Sequence, residues 1–457
     1  MLGGTKQLHF IGIGGSGMSG IAEILLSAGL RVTGSDISPS RAVDRLRSLG
    51  ARVHIGHAAE NLGEADVAVV SSIIPPTNPE IMSARARGIP VIERAEMLAE
   101  LMRGKYNVAV SGTHGKTTTT GLIGWILERA GLDPTVVNGG RFVHLDSGVR
   151  IGGSEYFVAE ADEAYGSVKH FNPTIAVITS VDADHLDYYK DVDEIGETLV
   201  DFANRVPFYG MSVWCADSEV SRRLMPKVKS RRTTYGFWDG ADVRAADATY
   251  CKGSAVFKAL YNGKELGTTR LPLPGAHNVL NALAAVCVGI ELEIPFPLIS
   301  EALSQFKGVR RRFEALGEEK GVLIVDDYAH NPAKLKAVFQ GVKTGYPGRR
   351  LVTVFQPHRY HRVQTLENEF SRSFGQTDVL LVTDIYGAGE TPIEGVTGEG
   401  LAEKIRRVGH PKVAYTPNRD DLLAELRDLA RPGDIVLTVG AGDIWSVGVD
   451  LLDMLRS

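Results

Sequence analysis

The sequence predicts an α/β protein of three domains: a Rossmann-like N-terminal domain, a central P-loop-type domain with a mostly parallel sheet, and a second Rossmann-like domain at the C-terminus. Three observations predict it. Short β-rich runs alternate with helical stretches from residue 7 onward, the rhythm of a parallel sheet covered by helices. Two glycine turns, GIGGSG at 12–17 and SGTHGKT at 111–117, each join an apolar strand to a helix. A chain of 457 residues is also too long for one ordinary domain.

Taken in order, LHFIGIGG, a helix through Leu26, LRVTGSD, ADVAVVSSII and IPVIERAEML form a first βα series. A polar break at Arg103 to Lys105 places the first boundary near 104, so the first domain spans 1–104. YNVAVS, EYFVAEAD, TIAVITSVD and MSVWCAD supply the strands of the second domain, 105–313. Between Gly236 and Gly275 the helical signal fades into several short candidate strands, an antiparallel insertion or edge, before PLPGAHNVLNALAAVCVGI returns as a buried helix. The charged, glycine-bounded stretch GVRRRFEALGEEKG, 308–321, reads as a linker or domain entrance. GVLIVDDY, RRLVTVFQPH, DVLLVTDIY, KVAYTP and DIVLTVGAGD then predict an open parallel sheet in the third domain, 314–457. Ligands of such sheets bind beyond the carboxyl ends of the strands, where DDYAHN, FQPHRYHR and DIYGAGE fall.

Bulk composition narrows the function classes. Fifty basic residues against 55 acidic ones give a net charge of -5, which leaves no electrostatic footprint for nucleic acid or an anionic membrane. No apolar run approaches the length of a membrane span, and the first residues lack the apolar core of a secretion signal. The chain therefore reads as cytoplasmic, with small-molecule substrates. Cys215, Cys251 and Cys287 are widely spaced and form no CxxC pair, so they read as packing residues rather than as disulfides or a thiolate metal site.

The turn around Lys116 is built for phosphate. Backbone N–H groups of a tight loop and of a first helical turn have no intrahelical acceptor, and they converge on an anion that the helix dipole also favours. Lys116 adds a positive charge for the outer phosphates, and the Thr117 hydroxyl suits the accompanying magnesium. Val110 stands where the common pattern has its first glycine, so the loop is a variant. Gly12, Gly14 and Gly17, with Asp36 ending the next strand, fit a dinucleotide fingerprint; a nicotinamide cofactor and a uridine diphosphate sugar satisfy it equally. Glu160 and His185 each follow a strand of the second domain, where they are metal ligands or a cap and a hydrogen-bonded loop histidine. Asn278 and Asn281 lie at a helix start, and capping accounts for Asn278. Arg310, Arg311 and Arg312 are a solvated cluster or a clamp for phosphoryl charge. His358, Arg359 and Arg362, with Tyr328 and His330, offer guanidinium partners for an amino acid's carboxylate, unless the arginines are simply solvated. The GAGD run at 440–443 reads as a packing turn.

FIGIGGSGMSGIAEIL, SSIIPPTNPE, GTHGKTTTT, AEADE, DADHLD, PGAHNVLNALAA, GVRRRFE, DDYAHNP, VFQPHRY, DIYGAGE and GAGDI occur in that order over nearly the whole chain. Together they resemble the Mur ligase family, and within it the branch that adds the first amino acid to the cell-wall precursor. The resemblance implies an ATP-dependent amide ligase acting on UDP-N-acetylmuramate and L-alanine, with Mg2+ (Mn2+ as the alternative ion), as a monomer or weak homodimer with no nucleic-acid or membrane partner. It assigns Gly14, Ser16, Gly17, Met18, Ser35, Asp36 and Ser72 to the uridine nucleotide. It assigns Gly112, Thr113, His114, Gly115, Lys116, Thr117 and Thr118 to the ATP phosphates, with Asn278 and Arg311 also on the ATP side. Thr117, Glu160 and His185 become metal ligands, and Tyr328, His330, His358, Arg359 and Arg362 the alanine end. Lys116, His330 and Arg312 are the implied catalytic groups. The chain departs from the pattern at Ala164, Tyr165 and Gly166, at Ser180 where asparagine is common, and at His361. Of three other readings, two leave motifs unused: a nicotinamide-dependent oxidoreductase leaves the GKT loop idle, and a nonenzymatic nucleotide switch leaves the HRYHR cluster and the first fingerprint idle. A muropeptide ligase attaching a preformed peptide is the nearest of the three.

Overall fold

The computed structural model describes residues 3–71, 73–184 and 188–456. Two compact units divide it: one holds the chain through Ala246 with Lys258–Gly267 and Leu280–Lys307, and the other holds Asp247–Phe257, Thr268–Val279 and the chain from Gly308 onward.

The first unit contains the N-terminal sheet. Strands β1 (Gln7–Ile11), β2 (Arg31–Asp36), β3 (Arg52–Ile55), β4 (Val67–Val70) and β5 (Val91–Glu93) lie in the order β3-β2-β1-β4-β5, all parallel. The order reverses between β1 and β4, so their carboxyl ends open the crevice in which doubly wound folds bind ligands. Helix Ser16–Ser27 leaves β1 there and packs so closely on the neighbouring layer that a Cβ at Gly20 would lie 2.3 Å from Val149.

A second sheet follows in the same unit. Its strands β6 (Tyr106–Ser111), β7 (Thr135–Val137), β8 (Val149–Arg150), β9 (Tyr156–Glu160), β10 (Ile175–Ile178), β11 (Met211–Cys215) and β12 (Arg232–Gly236) run β12-β11-β10-β6-β9-β7-β8. β6 pairs in parallel with β9 and β10 and is covered on both faces, which its run Val108, Ala109 and Val110 permits. Phe10, Ile21 and Leu25 share one continuous core with Phe157, Ile178 and Trp214, so the two layers are fixed to each other. Between Gly236 and Gly275 the strands are longer than the sequence suggests: β13 (Val243–Cys251), β14 (Ser254–Tyr261) and β15 (Lys264–Leu271) have nine, eight and eight residues. Their half-exposed, threonine- and lysine-bearing pattern weakens the hydrophobic signal without weakening the backbone ladder.

The second unit carries β16 (Glu314–Glu319), β17 (Val322–Asp327), β18 (Leu351–Phe355), β19 (Val379–Val382), β20 (Val413–Tyr415) and β21 (Ile435–Val439), in the order β16-β17-β21-β18-β19-β20. All pairs are parallel except the β16–β17 hairpin. That hairpin corrects the reading of 308–321 as linker: Glu314–Glu319 is an edge strand, with Glu318 exposed to solvent and Glu314 accepting from Arg310 and from Arg311 N. Cys215 and Cys287 are buried as expected of packing residues, whereas Cys251 is exposed on β13. Among the described residues, no helix is long and apolar enough to cross a membrane.

Candidate active site

The phosphate loop leaves β6 at Ser111 and enters helix Lys116–Arg129. Both of its glycines are required. Gly112 has φ +118, and a Cβ there would meet Thr179 Oγ1 at 2.5 Å and Ser180 N at 2.8 Å; Gly115 has φ +81, and its Cβ would lie 2.3 Å from Asn281 Oδ1. Ser180, after β10, holds the loop open. Its carbonyl accepts from Thr113 N at 3.1 Å, its hydroxyl accepts from His114 N at 2.9 Å, and the two hydroxyls of Thr113 and Ser180 are 2.9 Å apart. His114 Nε2 lies 3.2 Å from Asp182, and Thr119 donates to Asn281 Oδ1. The loop's shape is thus held by the protein's own hydrogen bonds, with the N–H groups of Lys116, Thr117 and Thr118 at the helix start, where an anion is favoured.

Lys116 is held by carboxylates. Its Nζ donates to Glu163 Oε1 and Oε2 at 2.9 and 2.7 Å and lies 3.3 Å from Asp162 Oδ1, and Glu163 is fully buried. Burial alone would favour the neutral amine; Glu163, Asp162 and Glu160 outweigh it and hold Lys116 protonated, above its ordinary range. Glu160 ends β9 and bridges two backbone segments: Oε1 accepts from Thr117 Oγ1 at 3.1 Å and Oε2 from Gly139 N at 2.8 Å. Thr117 and Glu160, predicted together as metal ligands, therefore lie side by side. His185 and Ser72 lie outside the described residues. Glu163, Ser180 and Asn281 are site residues that the sequence reading did not assign.

At the N-terminal turn, Gly12 N and Ile13 N donate to Ser35 O at 2.9 and 3.0 Å, and Gly14 N donates to Asp36 Oδ2 at 2.8 Å. Asp36 thus occupies its fingerprint position with one oxygen committed to the turn, and Ser16 is exposed at the helix start. Met18 and Ser35 depart from expectation. Met18 is 1 % exposed and fills the core. Ser35 is fully buried, donates to Glu80 Oε2 at 2.5 Å and lies 2.9 Å from His57 Nδ1, so its hydroxyl shapes the turn from behind. Glu80 itself is fully buried, accepts from Asn61 Nδ2 at 2.7 Å and lies 3.6 Å from His9 Nε2; burial raises its pKa, but His9, Ser35 and Asn61 together hold it down at about 2. Arg94, unassigned by the sequence reading, lies over the turn: a Cβ on Gly17 would come within 3.0 Å of its Cδ and Nη1.

In the second unit the carboxyl ends of β17, β18, β19 and β21 gather the predicted aromatic and basic residues. Tyr328 and His330 have ring centroids 5.2 Å apart, His330 and His358 5.8 Å, and His358 stacks on Tyr386 at 5.7 Å. Tyr386 is a further member that the sequence reading did not assign. Arg362 Nη1 donates to His358 Nδ1 at 3.0 Å. Arg359 has φ +67, a strained conformation for a side-chain-bearing residue, held by its N–H on Tyr386 O at 2.9 Å. Burial, with the Arg362 and Arg359 charges, lowers His358 to about 4, and burial with Lys334 and Arg362 pushes His330 well below the imidazole range. Both rings are neutral at pH 7. His330 Nδ1 donates to Tyr328 O at 2.8 Å, leaving the lone pair on Nε2.

Arg311 is committed within this unit. Its guanidinium bonds Asp326 Oδ2 at 3.2 Å, Gly442 O at 2.8 Å and Gly440 O at 2.6 Å, which ties the GAGD turn to β17. Arg312 lies with Cζ 5.1 Å from the Tyr328 ring centre, beside the cluster. Asn278 is buried at the third position of helix Ala276–Glu291, and its side-chain NH2 donates to Pro274 O at 2.7 Å, a bond to the preceding turn rather than the N-cap expected of the residue type.

Comparison with known proteins agrees with this layout. Models of the Mur ligase family match three consecutive stretches: the catalytic domain at 7–106, the middle domain at 110–289 and the glutamate ligase domain at 311–442. The chain is 50% identical over 457 residues to the UDP-N-acetylmuramate–L-alanine ligase of Geobacter sp. (strain M21), covering 100% of this chain and 99% of that protein. Its structure is similar to the crystal structure of the UDP-N-acetylmuramate–alanine ligase of Thermotoga maritima, with a TM-score of 0.83 at 27% identity over 98% of this chain and 99% of that one. It shares its fold with a murein peptide ligase of Psychrobacter arcticus, with a TM-score of 0.71 at 24% identity over 98% of each chain.

Proposed function

We propose, from the premise that this chain belongs to the Mur ligase family, that it joins L-alanine to the carboxylate of UDP-N-acetylmuramate at the expense of ATP in peptidoglycan precursor synthesis. The observation that carries this reading is the 50% identity, end to end, to a relative bearing that name. On this reading residues 1–104 hold the uridine nucleotide, 105–313 hold ATP and 314–457 hold the amino acid. ATP and sugar-nucleotide supply make the cytoplasm its compartment.

The chemistry splits into two displacements. A carboxylate oxygen attacks the γ-phosphorus, the bond to the β-phosphate oxygen breaks, and ADP leaves. The alanine nitrogen then attacks the acyl carbon, the carbon–oxygen bond to phosphate breaks, and the nitrogen's surplus proton is released. Lys116 moves from Glu163 onto phosphate oxygens, and the helix-start N–H groups hold the rest of that charge. Thr117 and Glu160 offer two oxygen donors 3.1 Å apart, which suits Mg2+ and equally Mn2+, with His185 as a third ligand. The ion, when bound, neutralises charge on the phosphate oxygens. Asp36, the N-terminal turn and Arg94 receive the uridine diphosphate. Arg359, Arg362 and Arg312 attract the alanine carboxylate, and Tyr328, Tyr386 and the two neutral histidines wall the small side chain. With its proton affinity so reduced, His330 orients the incoming amine through Nε2 more effectively than it removes a proton.

The test is ADP release with UDP-N-acetylmuramate against a panel of amino acids and the L-Ala-γ-D-Glu-diaminopimelate tripeptide. L-alanine should give the fastest release. Stimulation by the tripeptide with none by any amino acid would overturn the assignment.

A further inference from the structure

At the far end of β6 from the phosphate loop, the first unit has an open cleft of about 500 Å3, within the size range of small-molecule sites. Five residues of strand separate the two, roughly 17 Å. The cleft is lined by the connection Arg103–Lys105 between the first two sheets, by the start of β6 at Tyr106, and by the loop after helix Val192–Ala203. Its charges are unequal. Arg103, Lys105 and Arg205 face one carboxylate, Glu155. Lys105 Nζ gives one bond, to Ser154 O at 2.9 Å, and keeps two N–H groups. Among the described residues Arg103 forks onto Glu100, three residues away, through Nε and Nη2, and keeps the N–H groups of Nη1. Arg205 is exposed and has no side-chain hydrogen bond or ion pair among the described residues. His170 Nε2 is buried there without a hydrogen bond, 3.8 Å from Glu93. Tyr106 and Tyr209 add aromatic surface beside these cations, Tyr209 being 60 % exposed.

We infer that this cleft is a second anion-binding site, separate from the phosphate loop, for a small phosphate monoester carrying a flat ring. The three cations supply charge-assisted donors for the phosphate, and Tyr106 and Tyr209 the surface for the ring. Because the ligand would engage Arg103 and Lys105, it would also fix the connection between the nucleotide-turn layer and the phosphate-loop layer.

Phenyl phosphate is the probe, titrated calorimetrically into the full chain whose phosphate loop is saturated with a non-hydrolysable ATP analogue. One saturable site is expected, about tenfold tighter than for inorganic phosphate. Arg205→Glu and Lys105→Glu should each weaken it about tenfold with the melting temperature unchanged, and Lys116→Ala should leave it unaltered. Tyr209→Ala should bring phenyl phosphate and inorganic phosphate to the same affinity. Absence of saturable binding, binding indifferent to both charge reversals, or binding abolished by the ATP analogue or by Lys116→Ala would each overturn the proposal. Equal affinity of inorganic phosphate and phenyl phosphate for the unaltered chain would overturn its aromatic part.

Discussion

The first unit contains two glycine turns of the same design, each a buried strand, a tight loop and a helix start, and they acquire their charge differently. The turn at 111–117 contains its own cation, Lys116, and parks it on the buried Glu163. The turn at 12–17 contains none; Arg94 is brought over it from another helix, and the turn's backbone is fixed by Ser35 and Asp36. A cation on the loop itself can follow a phosphoryl group as it transfers, whereas one laid across the loop from outside can only hold a diphosphate still. On the proposed reading, the same backbone geometry would serve a reacting nucleotide in one place and a passive handle in the other.

The largest effect expected is on the reacting side. Lys116→Ala should lower turnover on the order of a thousandfold while leaving UDP-N-acetylmuramate binding, read by calorimetry, unchanged. Loss of both together would erase the distinction between the turns. Glu163→Gln should cost about 3 kcal/mol of stability without nucleotide, because it leaves a buried ammonium short of its counter-charge, and added ATP should restore most of the loss in a thermal melt.

These pairings mark where the sequence stops being readable. Glycines, Lys116 and Asp36 are legible because a turn imposes its residue types within a few positions, and parallel-strand rhythm places the turns at carboxyl ends. Glu163 lies 47 residues from Lys116, Glu80 45 from Ser35, and Ser180 66 from His114. Which loops meet depends on strand order and register, across β6, β9 and β10 for Lys116 and His114 and across β2, β1 and β4 for Ser35, and no local pattern carries that information. Ser35, which the resemblance assigns to the uridine nucleotide, has its hydroxyl on Glu80, a partner that no local pattern names. The hairpin at 314–327 was hidden because an exposed edge strand has the composition of a linker.

On the passive side, Arg94→Ala should raise KM for UDP-N-acetylmuramate roughly tenfold, about 1.4 kcal/mol, with KM for ATP and kcat unchanged. A fall in kcat instead would mean that the N-terminal turn takes part in the chemistry. Glu80→Gln should give a smaller increase in the same KM, a few-fold, since the amide oxygen still accepts from Asn61 while its NH2 can donate to the Ser35 hydroxyl, which turns toward His57. Smallest of all is the pH effect. His358 and His330 have folded pKa values below the unfolded imidazole value, so they take up protons only as pH falls to about 4 and below. Their contribution to stability is complete above pH 6.5 and is lost as pH falls from there toward 4. The kcat/KM profile for alanine should accordingly show no step near pH 6.5; one there would assign a titrating base to this cluster.

The most direct measurement follows oxygen. With UDP-N-acetylmuramate labelled with 18O in its carboxylate, each turnover should place one labelled oxygen in the released phosphate, because the carboxylate oxygen that attacks ATP leaves with the phosphoryl group. Turnover that yields amide and unlabelled phosphate would contradict the acyl-phosphate route and the division of labour between the two turns.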